Sequence, residues 1–219
     1  MKNKYHISEG LRTALILAFV SGFMEAYSFT TQGGRFSGVQ TGNIIYLMMS
    51  LAHKDYKLAG GYLLPICVFI VGSILTYYSR EFAKIKNYSW YIIAATCLLV
   101  GVILIGISAN LHLHSLTVSL SAFVASIQAE SFKQVRGTPY ASVMMTGNVK
   151  NMSVLIAQGL REKNKKILEK GLHTFYVVLT FALGVYLATK LSDAFGVSTI
   201  FILVIPLSAL IYFLYKNKG

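Results

Sequence analysis

Residues 39–47 read VQTGNIIYL, and their core returns in MMTGNVKNM, residues 144–152. Thr-Gly-Asn is a polar triplet, yet both copies stand in apolar surroundings. Laying the chain on itself with a shift of 105 residues puts Ser21 on Ser126, Glu25 on Glu130, Ser37 on Ser142, Thr41-Gly42-Asn43 on Thr146-Gly147-Asn148 and Ala52 on Ala157. These seven identities in the 33 positions from 20 to 52 exceed the roughly two expected from average residue usage. Farther on, FIVG at 69–72 matches FALG at 181–184 after a shift of 112, and the seven extra residues fit in the charged stretch around EKNKK. The chain reads as a duplicated half, with repeats at approximately 10–109 and 114–215 inside a single transmembrane domain, 1–219.

Composition sets the medium. The chain is 55% hydrophobic and 13% charged, with a mean hydropathy of +0.59, whereas an ordinary soluble domain is roughly 25% charged. The lipid bilayer is therefore its expected partner. The net charge of +12 does not point to nucleic acid, because the Lys and Arg residues punctuate long apolar runs instead of gathering on a soluble face. Cys67 and Cys97 lie in apolar runs without a CxxC spacing or metal-type neighbours, so buried free thiols are expected. The N-terminal stretch has a basic start and an apolar run but no A-x-A-like site, which predicts a retained first span, with no soluble domain on either side.

Six apolar runs, near 12–32, 58–79, 88–109, 114–133, 171–190 and 197–215, have the length of about 20 residues that carries a helix across a bilayer core of about 30 Å. Two shorter stretches, 38–52 and 141–157, carry Thr-Gly-Asn near their starts and read as broken or re-entrant helices. With six spans and a cytoplasmic N-terminus, the inside holds Lys2, Lys4, Arg12, Arg80, Lys84, Lys86, Lys133, Arg136, REKNKK at 161–166, Lys170, Lys216 and Lys218. The outside holds Arg35, Lys54, Lys57 and Lys190. That asymmetry obeys the positive-inside rule, and eight spans would reverse part of it.

Three crossings per half invert its direction, so the expected fold is an all-α polytopic membrane protein with six full spans and two short Thr-Gly-Asn helices in an inverted internal repeat. In transporters of that architecture the binding site lies near the midplane at the repeat interface. Asn or Thr at a helix start accepts from orphaned backbone N–H groups, and Gly allows close approach. The exposed N–H groups and the positive end of the helix dipole also suit an anion or polar ligand. The bland alternative is that the motif only caps and packs helices. Glu25 and Glu130 are the sharper signal, since an ionisable side chain inside the membrane costs about 2.5 kcal/mol or more and normally faces protein or water. Their structural alternative is neutralisation by Arg35 in the first half and by Lys133 and Arg136 in the second.

Other features are weaker. His112 and His114 lack a nearby third ligand and read as an interfacial loop, so no metal is expected. Pro65 and Pro206 lie inside apparent spans and mark kinks. Without a Walker motif, nucleophile elbow, zinc-protease helix or dinucleotide fingerprint, neither catalysis nor a cofactor is expected.

The stretch SGFMEAYSFTTQGGRFSGVQTGNIIYL, residues 21–47, together with the second Thr-Gly-Asn, resembles the YoaK-like family of small bacterial integral membrane proteins, a family of unknown function. The resemblance covers nearly the whole chain and rests on Glu25, Gly33, Gly34, Thr41, Gly42 and Asn43, with Glu where Asp is common in relatives. It implies a multi-pass protein of the bacterial cytoplasmic membrane. The residues themselves suggest a secondary transporter or channel for a small polar solute or ion. Glu25 and Glu130 would couple protons or cations, and Thr41, Gly42, Asn43, Thr146, Gly147 and Asn148 would supply polar contacts. A membrane interaction or assembly protein is the alternative, and both a monomer and a homodimer are compatible with the sequence.

Overall fold

A computed structural model describes residues 7–140 and 142–216. The described chain forms α1 (Leu11–Thr31), α2 (Gln40–Ala52), α3 (Tyr56–Ile85), α4 (Trp90–Asn110), α5 (His114–Ser131), α6 (Met145–Arg161), α7 (Lys165–Phe195) and α8 (Val204–Lys216), the last two joined by the 3-10 segment Gly196–Leu203. The expected all-α class is borne out, apart from a two-stranded hairpin, Gln134–Val135 with Thr138–Pro139. Arg136 and Gly137 turn it with φ of 47° and 72°, the left-handed pair that a two-residue hairpin loop demands.

The helices α1, α3, α4 and the continuous run from α7 through α8 are long and apolar enough to cross a membrane. By contrast α2, with 13 residues, extends only about 20 Å and falls short of a bilayer core of about 30 Å. The span expected at 197–215 is a 3-10 segment followed by α8, and Pro206 sits in the first turn of α8, where its missing N–H is not needed. Lys2, Lys4 and Lys218 of the expected inside charges lie outside the described residues, as does Ala141 at the start of the second short stretch.

Burial divides the helices. α1 is enclosed on nearly every side, with Leu17, Val20, Phe23, Glu25 and Tyr27 all buried. α3 presents Ile70, Val71, Ile74 and Leu75 outward, and α7 presents Leu179 and Leu183, as helices facing lipid do. Cys67 and Cys97 are free but exposed on their helices, which corrects the expectation of burial.

α1 packs most extensively on α7, and α3 on α5, while α2 lies on α3 and α6 on α7. The α1–α7 crossing brings backbone to backbone: a Cβ at Gly22 would strike the Phe181 carbonyl, and one at Gly184 would strike Phe19 and Phe23. At the α3–α5 crossing the matching Gly72 instead faces the side chains of Ser126 and Phe123. α4 closes the core against the 3-10 segment and α8 through Leu98, Val102, Ile105, Ile200, Leu203 and Leu207.

Candidate functional site

After α1 ends at Thr31, Gly33 and Gly34 take φ values of 69° and 76°, a consecutive left-handed pair that glycine adopts without strain. The chain folds back along α1. Ser28 Oγ donates to the Arg35 carbonyl at 2.8 Å, and Gly34 N–H to the Phe29 carbonyl at 3.0 Å. Arg35 points away from Glu25: its Nε donates to Gly61 O and its Nη1 to Gln32 O, both at 3.0 Å, with the guanidinium over the Tyr62 ring.

Asn43 then holds the returning segment. Phe36 N–H donates to Asn43 Oδ1 at 3.0 Å, and Asn43 Nδ2 donates to Phe36 O and to Gln40 Oε1, each at 2.9 Å. The amide thus pairs with both backbone groups of Phe36, whose ring stacks on Phe29 and covers Gly42.

This brings the turn ahead of α2 to the Glu25 carboxylate. Ser37 N–H donates to Oε2 at 3.1 Å, Ser37 Oγ to Oε1 at 2.9 Å and Gly38 N–H to Oε1 at 2.6 Å. Charge-assisted bonds of this kind are short and strong, and the start of a helix favours negative charge. Glu25 is only 4% exposed, and among the described residues no cation pairs with it. Gly38 has a steric reason, since a Cβ there would meet Val143, Glu25 Oε1 at 2.8 Å and Ala125 at 3.2 Å. Glu25 stands six residues before the end of α1, so α2 starts about 9 Å back along α1 from its end.

The second half departs from this plan. Glu130 is the penultimate residue of α5, and its Oε1 pairs with Lys133 Nζ at 2.6 Å and Arg80 Nη1 at 3.3 Å, on a partly exposed side chain. Arg136, also expected beside Glu130, turns instead to Glu169 and His173. Asn148 is buried like Asn43, with Nδ2 3.4 Å from Met145 Sδ. Thr41 and Thr146 lie on exposed sides of α2 and α6, and nothing lies within 4 Å of where a Cβ would be at Gly147.

The halves meet here through Gly38 against Val143, which the 105-residue shift makes counterparts. Asn43 bonds within its own turn and not to Asn148. Glu25 and Glu130 do not share a site. A cavity of about 150 Å³ lies beside Arg80 and Lys133, lined also by Glu9 and Gln134. Sequence reasoning aligned Ser37 with Ser142 but assigned neither a role, although their identity was the available signal. It also missed Gln128, whose Nε2 joins α5 to Leu17 O at 2.9 Å and Ser21 Oγ at 2.6 Å on α1. Among the described residues no group of His, Cys, Asp and Glu is arranged to hold a metal ion.

Residues 13–213 match the family described as "Protein of unknown function (DUF1275)", and the chain belongs to it. No curated protein matches the chain, and no solved structure does.

Proposed function

We propose that this member of the DUF1275 family is a secondary transporter or channel for a small polar solute or ion, with Glu25 as its proton-coupling group. The proposed arrangement is six spans and two re-entrant helices in an inverted repeat, in the bacterial cytoplasmic membrane with both termini inside. Reciprocal packing supports the repeat. The repeat maps α1 onto α5 and α3 onto α7, so the α1–α7 contact corresponds to α5–α3, and α2–α3 to α6–α7. The basic loop at 161–166 and Arg80, Lys84 and Lys86 support the orientation.

The observation that carries the function is a buried carboxylate with no counter-cation among the described residues, held by two backbone N–H groups and a hydroxyl of the turn ahead of α2. An ionised Glu25 accepts all three and pins the start of α2. A protonated Glu25 presents a donor in place of one acceptor, so the turn is released. Proton occupancy and the position of α2 are then one equilibrium, as coupled transport requires. Glu130 belongs to a surface ion-pair cluster and is the weaker candidate for coupling.

The test is flux in proteoliposomes containing a pH-sensitive dye, with a solute chosen by ligand-dependent thermal shift. Glu25→Gln is expected to abolish pH-dependent flux while the protein stays folded, and Glu130→Gln to retain most of it. Full pH-dependent flux in Glu25→Gln would sink the proposal. The second reading, an assembly protein with structural motifs, is favoured by Asn43, whose side chain bonds entirely within its own turn. That reading expects no solute to stabilise the protein or to move.

A further inference from the structure

Four elements end or begin around one cavity. α3 ends at Ile85 and α5 at Ser131, α4 begins at Trp90, and a 3-10 turn, Ile7–Glu9, precedes α1. The cavity, of about 150 Å³, is lined by charges of both signs: Arg80 and Lys133, and with them Glu9. Both cations lean on one oxygen, Glu130 Oε1, at 3.3 and 2.6 Å. Arg80 Nη1 also donates to Glu130 O, and Nε lies 3.9 Å from Glu81, which is outside the lining, so Nη2 keeps its donors unspent among the described residues. Glu9 makes no ion pair among them. One small space thus offers donors for an anion and an acceptor for a cation.

An apolar groove of about 440 Å³ lies next to it, lined by Tyr78, Phe82, Tyr88, Trp90 and Ile93 of α3, α4 and the turn between them. Tyr78, Phe82 and Tyr88 are exposed, and α3 and α4 are both long and apolar enough to cross a membrane. Aromatic rings at such helix ends belong where hydrocarbon gives way to water. Trp90 joins the two spaces: its ring lines the groove, and its Nε1–H donates at 3.1 Å to Ser131 Oγ, which lines the charged cavity. We propose that cavity and groove together hold one phospholipid with a phosphoethanolamine head. The phosphate accepts from Arg80 and Lys133, the ammonium donates to Glu9, and an acyl chain passes Trp90 into the groove. Guanidinium and ammonium groups are the donors a phosphate takes, and basic pockets between membrane helices bind lipid heads. An acidic phospholipid would bring its net negative charge up to Glu9 and Glu130, and a choline head would offer Glu9 no N–H. A soluble zwitterion would leave the aromatic groove without a role.

The test uses the full chain, stripped of lipid in an uncharged detergent and titrated with phosphatidylethanolamine, phosphatidylglycerol or phosphatidylcholine of the same acyl chains. Native mass spectrometry counts the lipid retained. One phosphatidylethanolamine is expected to be held about tenfold more tightly than either of the others. Lys133→Gln and Arg80→Gln are expected to weaken it by about tenfold each, as loss of a charged donor does. Glu9→Gln is expected to erase the preference for ethanolamine over choline, and the exposed control Lys166→Gln to change nothing. Glu9 has no ion-pair partner to strand among the described residues, so its variant decides the matter even if Arg80→Gln does not fold. Equal retention of the three lipids, a preference for phosphatidylglycerol, or an ethanolamine preference that survives Glu9→Gln overturns the proposal. So does displacement of the lipid by an equal concentration of glycerophosphoethanolamine, which would make the cavity a solute site. Lipid retention is read without flux, so the site stands or falls apart from the transport reading.

Discussion

Glu25 and Glu130 fall on one another at a shift of 105 residues and live in different chemistry. Glu25 lies inside the protein and accepts from a turn of backbone, and Glu130 lies at a rim between a lysine and an arginine. The length of the parent helix makes the difference. α1 continues six residues past Glu25, whereas α5 stops one residue past Glu130 and gives way to the β-hairpin. A helix that continues keeps its acid among packed neighbours and forces the chain to fold back to reach it. A helix that stops leaves its acid where cations of the loop and of α3 arrive first. The same residue type at matching positions of the sequence therefore ends in different electrostatic surroundings.

The contrast breaks first at the acids. Glu25→Ala leaves two amides and a hydroxyl buried without an acceptor, which is expected to cost about 3 kcal/mol or more. Glu130→Ala removes two partly exposed ion pairs, to Arg80 and Lys133, and is expected to cost about 1 kcal/mol. Unfolding midpoints in mixed micelles of mild and denaturing detergent check both, and equal losses would erase the distinction drawn between the two sites.

The two helix crossings give the next effect. Gly22→Ala pushes a methyl into the Phe181 backbone and is expected to cost about 2–3 kcal/mol, because backbone cannot rotate aside. Gly72→Ala meets the side chains of Ser126 and Phe123 and is expected to cost about 1 kcal/mol as they adjust. The same unfolding measurement ranks them. Asn43→Ala comes next, since it strands Phe36 N–H and O together, with about 2 kcal/mol expected. Amide hydrogen exchange that stays slow at Phe36 in that variant would show that the side chain does not hold the segment between α1 and α2.

The smallest effect has opposite signs in the two repeats. Gly42→Ala places a Cβ 2.6 Å from the Phe36 ring and is expected to lower stability by about 1 kcal/mol. Gly147→Ala enters open space within a helix and is expected to raise stability by about 0.5–1 kcal/mol, the usual gain over helical glycine. Thermal midpoints in detergent moving the same way for both would mean that the two motifs are packed alike.

Much of the plan was legible in the chain itself. Apolar run length and composition point to membrane helices because lipid leaves the backbone few ways to satisfy its hydrogen bonds. The shortness of the stretch after residue 38 and the spacing from Glu25 to Thr41 pointed to a helix that starts beside the acid, and α2 does start there. The β-hairpin was less legible, because Arg136-Gly137 is a weak turn signal between strands of two residues each. The exposed position of Cys67 and Cys97 was equally hidden, since a helix that is apolar all round carries no mark of which side meets protein.

By itself, then, the sequence determined the apolar helices, the recurrence of Glu and Thr-Gly-Asn at a shift of 105 residues and the short helix that begins beside Glu25, all of which depend on residue type and spacing along one chain. Only the tertiary structure decided which acid is enclosed and that Arg35 serves Gly61 and Gln32 instead of Glu25. Those outcomes depend on which distant atoms reach a site first: Arg80 comes to Glu130 from 50 residues away, and Val143 comes to Gly38 from 105. Hydrogen bonds and charge pairs act over a few ångströms, so the same letters acquire different partners once packing has chosen what lies within that range.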